Sequence, residues 1–587
     1  MPSNLSRWFA SAVLVFALSV PAIAATYDSK IAPDLQPLLA NPSANIDVII
    51  QYNTPPQSCT AGGLLGGLVC TAVNLVGGTL KTVLSLLGAV EATLSPADII
   101  ATANQSNVAY ISPNRILAAS LDYSTAAANA NAAWNLGLDG TGIGVAVIDS
   151  GIYPHPDLNA AGSAKSRILY HQSFIGGVQF DDFGHGTHVA GIIAGNGESS
   201  NLRGSQHVLR GVAPNANLID LRVLDVNGAS NDAAVISAIT TAITLQKTYN
   251  IRVINLSLGR PIYETCKLDP LCLAVEAAWN HGIVVVSAAG NLGRNGYATV
   301  LSPGNDPRVI TVGAMKTMGT MPRADDLVAS YSSKGPTYLD HTVKPDLVAS
   351  GNLVVSLLAP GSTLSHEFPG NVISPSYYGG SATAPSEYIR LSGTSMATPV
   401  VSGAVALLLQ REPALTPDTV KARLMKTASK TFPLVSTATD PTTGQTYTDT
   451  YDIFTIGAGY LDIAAALANS DMVFETAASP TALYNPLTEQ ATLAHNPAAI
   501  WNMSSTWSDS LVWGNAVLTS GGMAVWNGNT VWASSTAWGT NTAWGSSSAW
   551  GSSTAWGTNT AWGTNTAWGS NTAWGSSTAW GTSGNGE

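Results

Sequence analysis

Charge is the scarcest property of this chain. Asp, Glu, Lys and Arg make up 10% of its 587 residues, with 25 basic against 36 acidic and a formal net charge of -11. No basic surface is available to neutralise a phosphate backbone, so no nucleic acid is expected as a partner. Cysteine is sparse too, with four residues in the whole chain. They form two close pairs, Cys59 with Cys70 and Cys266 with Cys272, and neither has the C-x-x-C spacing or adjacent histidines of a zinc site. Long apolar runs are also missing. The run over 9–20 is too short to span a bilayer, and no later stretch reaches the roughly 18 apolar residues a membrane helix needs.

What is present begins with an export signal. Arg7 precedes the apolar run, and Ala22 and Ala24 stand before Ala25 in an A-x-A spacing, which reads as a secretory signal peptide over 1–24. An exported chain meets an oxidising environment, and sequence proximity then predicts the local disulfides Cys59–Cys70 and Cys266–Cys272.

A small α+β unit follows over 25–122. The pattern predicts a strand at 46–52, a helix near 80–87, a strand at 89–94, a helix at 96–105 opened by Ser95 with Pro96 at its first position, and a strand at 107–111. Such a βαββαβ-like unit between an export signal and a larger domain reads as a pro-segment. From 123 to 470, short apolar strands at 143–148, 218–224, 253–256, 283–287 and 309–312 alternate with longer helices such as 232–246 and 271–280. That alternation predicts an α/β fold, a doubly wound parallel sheet with helices on both faces. After a linker at 471–500 comes a Trp-rich tail, 501–587, built on a six-residue repeat close to S-S-T-A-W-G. It carries 13 of the 16 tryptophans and no charged residue between Asp509 and Glu587. Such a tail suits either a flexible segment lost on maturation or a contact to a cell surface or polysaccharide.

Four motifs in the large unit carry the chemistry. V-A-V-I-D-S-G at 145–151 ends an apolar strand in Asp149, at the edge where parallel sheets place their sites. G-H-G-T-H-V-A-G at 184–191 puts His185 between two glycines at the start of a helix, and its H-x-x-H lacks the glutamate of a zinc protease. V-V-V-S-A-A-G-N at 284–291 ends a buried strand in Asn291, and L-S-G-T-S-M-A-T-P at 391–399 places Ser395 at a helix N-terminus with Pro399 in the first turn. Each alone is compatible with a cap, a turn or a structural histidine. Together they supply a weakly nucleophilic hydroxyl, an imidazole to take its proton and a carboxylate to orient the imidazole. The order Asp, His, Ser differs from the two other common arrangements of such triads, and the Asn291 amide can hold an oxyanion with the backbone N–H of Ser395.

These motifs, in this order and at these separations, resemble the subtilisin-like serine proteases over about 330 residues. The resemblance implies a serine endopeptidase in which Asp149 supports His185, His185 acts as base and then acid, and Ser395 forms the acyl-enzyme. No cofactor is expected for catalysis. His188 becomes structural, and Met396 beside the nucleophile becomes an oxidation liability. The resemblance further implies a cleft in which a protein or peptide substrate pairs as a strand between Gly228, Ala229 and Ser230 on one side and Ser257, Leu258 and Gly259 on the other. Ala288, Ala289 and Gly290 floor its first pocket, and the Cys266–Cys272 loop stiffens one wall. The unit over 46–116 resembles the family's inhibitory pro-segment, an intramolecular inhibitor cut between Asn114 and Ala132, with the bond after Tyr123 expected. A Gly- and Leu-rich insertion at 59–80 departs from that pattern. Calcium is common in the family, and Asp157 in H-P-D-L matches a ligating position, although Arg203, His207 and Arg210 occupy the loop that should offer oxygen donors. The competing reading is a catalytically silent relative that acts as an adhesin or binding protein through its tryptophan tail.

Overall fold

The structure, a computed structural model, describes residues 30–513 except 33–34, 41, 43–44, 54–57, 62–67, 72–76, 85–86, 115, 120–125, 177–179, 203–206, 319–322, 441–443, 486–489 and 502–504, together with Ala524–Trp526. The expected signal peptide and the tryptophan repeats beyond 526 lie outside the described residues. Among the described residues no helix is long and apolar enough to cross a membrane.

Strand β1 (Ile46–Tyr52) begins a small unit. It continues through β2 (Thr79–Leu84), β3 (Ala89–Leu94), α1 (Pro96–Ala103) and β4 (Val108–Pro113), and the strands form an antiparallel sheet in the order β2-β3-β1-β4. Alternation in β1 serves two faces. Val48 and Ile50 pack with Val90, Ile99 and Ile111 in the unit's own core, whereas Ile49 joins the core of the large domain. Helix α1 starts as expected, with Ser95 accepting the Asp98 amide at 3.2 Å. The helix expected over 80–87 is a correction: Thr79–Leu84 is a strand. Leu80, Val83, Leu84 and Leu87 have helical spacing, but Thr79, Thr82 and Val83 are β-branched, and pairing with β3 satisfies the backbone of the segment. Among the described residues of the unit, no α-helix stands between β1 and β3 where a βαββαβ pattern has its first. The insertion that follows β1 contains a hairpin, Ser58–Ala61 with Leu68–Thr71, whose backbone register sets Cys59 opposite Cys70.

Beyond β4, strand β5 (Ile116–Ala119) leads toward the large domain, which is built on β6 (Gly144–Asp149), β7 (Ile168–Ser173), α2 (His185–Ala194), β8 (Asn217–Arg222), β9 (Ala229–Asn231), α3 (Asp232–Tyr249), β10 (Ile251–Leu256), β11 (Leu258–Gly259), α4 (Pro270–Asn280), β12 (Val284–Ala288), β13 (Ile310–Lys316), β14 (Leu327–Val328), β15 (Leu347–Ser350) and α5 (Thr394–Arg411). The main sheet runs β14-β13-β12-β10-β6-β8-β7, with β15 also paired to β13, and it is parallel except for β14. Every residue of β6 and β12 is buried, as strands covered on both faces must be. From β6 the chain runs to β7 and β8 on one side and then crosses to β10 on the other. The carboxyl end of β6 is thus a topological switch point, the place where such sheets hold their sites. The expected strands and helices of this domain are all present with shifted ends, while β7, β14 and β15 are additional.

Described residues within 471–513, read from sequence as a linker and the start of a tail, pack against the large domain. Trp501, Trp507 and Trp513 are all buried. The Trp501 indole donates to the Ala478 carbonyl at 2.6 Å and meets Trp513 edge-on at 5.2 Å, and the Lys426 ammonium lies over Trp507.

Candidate active site

Asp149 is the last residue of β6 and is buried. Its Oδ1 accepts from His185 Nδ1 at 2.7 Å and from the Ser150 amide at 2.8 Å. The bond to Nδ1 fixes the orientation of the imidazole ring. His185 opens α2, and the close approach of that helix to β6 explains Gly186: a Cβ there would lie 2.2 Å from the Gly151 carbonyl. His188, one turn on, donates from Nε2 to the Val354 carbonyl, and burial pushes its pKa down to about 3, so it stays neutral.

Ser395 is the second residue of α5, whose first sixteen residues are all buried, so the helix is enclosed on every side. Pro399 stands at the sixth position, in the second turn and not the first. Lacking an N–H, Pro399 cannot donate to the Ser395 carbonyl four residues back. That carbonyl instead accepts from Ser257 Oγ at 2.8 Å, and the Ser395 hydroxyl donates in return to the Ser257 carbonyl at 3.1 Å. The proline thus frees a carbonyl that fixes the start of the helix against the end of β10.

Asn291 lies just past β12. Its Oδ1 accepts from both the Thr394 amide and the Thr394 hydroxyl, each at 3.0 Å. With the oxygen held, the amide flip is decided and Nδ2 is the group left to donate. The N–H of Ser395 is one of the first-turn donors a helix leaves without an intrahelical acceptor. The Thr394 hydroxyl also takes the Gly290 amide at 3.1 Å, which ties the pocket floor to the same helix start. Gly290 has φ +105°, and a Cβ there would strike Leu301 at 2.7 Å, so glycine is required. Ala289 completes the floor by accepting the Leu301 amide at 3.0 Å, beside Ala288 at the end of β12.

Asp181 and Thr394 are parts that sequence reading missed. The buried Asp181 takes Ser150 Oγ, the Gly184 amide, and both the amide and hydroxyl of Thr187, at 2.7–2.8 Å. It ties the loop after Asp149 to the start of α2. Burial raises its pKa while those four donors lower it. The signal was D-D-F-G-H-G-T-H, an acid four residues before the histidine, which is easily taken for a cap.

The two segments expected to bind substrate each pair with β5. β5 forms the middle of a three-stranded antiparallel sheet with β9 on one side and β11 on the other. Ala118 pairs with both Ala229 and Gly259, Leu117 with Ser230, and Ala119 with Leu258. Gly228 precedes β9 with φ +71° beneath Phe183. The unit that carries β5 is also docked elsewhere: Asn114 Oδ1 caps the Ala233 amide of α3 at 2.9 Å, beside the Asn231 cap on Ala234, and Gln51 donates to the Leu268 carbonyl. Cys266 and Cys272 are joined by a disulfide, with Cα atoms 5.4 Å apart.

The residues around Asp157 do not fit a calcium ion. Its Oδ1 accepts the Ser199 amide at 2.7 Å and its Oδ2 the Tyr388 hydroxyl at 2.6 Å. The nearby carbonyls are taken by a cation the chain supplies itself. The guanidinium of Arg167 donates to the carbonyls of Asn159, Ala216, Asp157 and Ala194 at 2.6–3.0 Å. Burial lowers its pKa to about 10, which leaves it charged at neutral pH. Arg210 lies over Trp134, and His207 stacks on Tyr377. Arg167→Met is therefore expected to destabilise the domain by about 3 kcal/mol, because buried carbonyls lose their donors. Thermal denaturation checks this: the variant should melt lower, and a chelator should leave the native Tm in place. A marked fall in Tm on chelation contradicts the assignment.

Comparison with known proteins places this geometry among relatives. The family model described as Subtilase family matches residues 140–459. The chain is 40% identical over 334 residues to Serine protease AprX from Bacillus subtilis, covering 55% of this chain and 70% of that protein. It is 35% identical over 349 residues to Subtilisin E from Bacillus subtilis, covering 58% and 75%. It is also 36% identical over 317 residues to Subtilisin from Bacillus pumilus, covering 53% and 93%.

Proposed function

The chain belongs to the subtilase family and is a serine-type endopeptidase, and from that premise we propose that Asp149, His185 and Ser395 are its catalytic triad, that Asn291 completes its oxyanion hole, and that it is exported as a precursor inhibited by residues 25–120. In the proposed cycle, Ser395 Oγ attacks the peptide carbonyl as His185 Nε2 takes its proton. Asn291 Nδ2 and the Ser395 N–H hold the oxyanion. His185 returns the proton to the leaving amine, and water repeats the sequence on the acyl-enzyme. Asp149, bonded to Nδ1, keeps the ring oriented and stabilises it when protonated.

The observation that supports the reading is β5, the middle strand of an antiparallel sheet between β9 and β11. A segment held that way blocks the cleft by the same main-chain pairing that binds a substrate. Its register also points to the maturation bond. Ala119, the last described residue of β5, pairs with Leu258, next to Ser257, whose carbonyl takes the Ser395 hydroxyl. The bond assigned to the enzyme's own attack is therefore Ser120–Leu121. The earlier expectation of a cut after Tyr123 falls outside the described residues. N-terminal sequencing of the processed, exported protein is expected to begin at Leu121, and the Ser395→Ala chain is expected to stay unprocessed. A mature chain that begins at Ser124 sinks the register assignment, and a Ser395→Ala chain that still processes itself sinks the self-cleaving precursor.

A further inference from the structure

Arg260 follows β11 directly, and its side chain is wholly buried. A buried guanidinium beside a substrate cleft requires a reason, because its desolvation is costly unless every donor is matched. Here Nε bonds Asp232 Oδ1 at 2.9 Å, Nη2 bonds Asp269 Oδ1 at 2.7 Å and Nη1 bonds the Pro261 carbonyl at 3.0 Å, with Glu264 Oε1 4.0 Å away. Asp232 and Asp269 are fully buried as well.

The partners are informative in their positions. Asp232 is the residue immediately after β9, so the ion pair joins one outer strand of the cleft to the other. Asp269 sits in the loop closed by the Cys266–Cys272 disulfide, where it caps α4 through the Leu271 amide at 2.9 Å and accepts Ser302 Oγ at 2.8 Å. The backbone of Arg260 exchanges two hydrogen bonds with Ser302, at 2.9 and 2.7 Å. Leu301, next to Ser302, bonds Ala289 and lies against Gly290 in the pocket floor. The side chain of Arg260 therefore ties both walls to the disulfide loop, and its backbone ties them to the segment beside the floor.

The geometry of strand pairing gives this tie a task. A middle strand needs its two neighbours about 10 Å apart, twice the usual spacing between paired strands. While β5 fills the gap, its own hydrogen bonds set that width. Once it leaves, no ladder joins β9 to β11 through the cleft, and the width must be set from behind. We infer that Arg260 is a positioning residue for extended substrates, holding the two outer strands of the cleft at the separation a third strand requires. The inference rests on the strand-pairing cleft proposed above. A preset gap favours binding of residues that lie along both walls, and it has little bearing on a substrate that reaches only the first pocket.

The test compares two substrates on processed enzyme, with active sites counted by a fluorophosphonate. One is a succinyl tetrapeptide anilide ending in Phe, and the other is an N-acetyl-phenylalanine ester. Arg260→Lys keeps the charge and loses the planar fork that bridges Asp232 and Asp269. It is expected to raise KM for the tetrapeptide about tenfold with kcat nearly unchanged, and to leave the ester kinetics as in the native enzyme. Asp269→Asn, a gentler change, should shift the same KM in the same direction. Equal losses on both substrates, losses in kcat alone, or native KM in both variants overturn the assignment. A native enzyme that gains nothing from the longer substrate overturns the strand-pairing cleft itself, a result distinct from the failure of Arg260.

Discussion

Ser395→Ala is expected to lower kcat on the order of a million-fold while KM for a peptide substrate stays near its native value; that magnitude is the one known from subtilisin. The substitution removes one oxygen from a buried helix start. The hydroxyl donates only to the Ser257 carbonyl, and Ser257 Oγ still reaches the Ser395 carbonyl, so the fold loses little. The cleft strands β9 and β11 are untouched, which is why binding should survive. What disappears is the nucleophile, and with it the use of the imidazole that Asp149 orients at 2.7 Å. Steady-state hydrolysis of a tetrapeptide anilide, with protein processed in trans by native enzyme, checks the expectation. A loss of only tenfold contradicts the assignment of Ser395 as the nucleophile.

Asn291→Leu is expected to lower kcat by roughly a hundred- to a thousand-fold, again with KM nearly unchanged, as is known for the equivalent contact in subtilisin. The reason is in the orientation of the amide. Thr394 holds Oδ1 with two donors at 3.0 Å, so Nδ2 is aimed by the helix that carries the nucleophile and need not reorganise during reaction. Leucine keeps the approximate volume and removes the donor. The oxyanion exists only during reaction, so the missing bond affects kcat and spares KM. A variant whose KM rises in step with its fall in kcat/KM, at native kcat, shows a ground-state contact and contradicts this role.

Much of the site was legible because its chemistry is compressed into short motifs. Asp149, His185, Asn291 and Ser395 each end a buried strand or open a helix, and apolar runs flanked by glycine mark those junctions. What could not be read lay in contacts across the chain. Asp181 looks like a cap until Gly184, Thr187 and Ser150 are seen to converge on it. Asp157 looks like a calcium ligand until the Tyr388 hydroxyl, more than two hundred residues away, is found on its Oδ2. Arg260 carries no sequence signal beyond being a charge in an apolar stretch, since its partners are brought in by α3 and the disulfide loop. The strand at Thr79–Leu84 was misread because four apolar residues at helical spacing are outweighed by an available strand partner, which periodicity alone does not reveal. The tryptophans at 501, 507 and 513 share the repeat spacing of the tail, yet they pack on the domain, which spacing alone does not reveal.

On the proposed reading as a self-inhibited precursor, these parts acquire an order in time. β5 pairs with both β9 and β11, and Asn114 caps α3 next to Asn231, so the small unit is fastened at two places. The proposed cut leaves both attachments in place, so release of the unit is expected to follow cleavage as a separate step.

The most direct test is to treat the processed enzyme with a serine-directed fluorophosphonate, digest it and map the modified residue by mass spectrometry. The account predicts one adduct, on Ser395, formed in step with loss of peptide hydrolysis and absent from the chain still carrying residues 25–120 in the cleft. An adduct on another serine, or full hydrolysis with Ser395 modified, contradicts it.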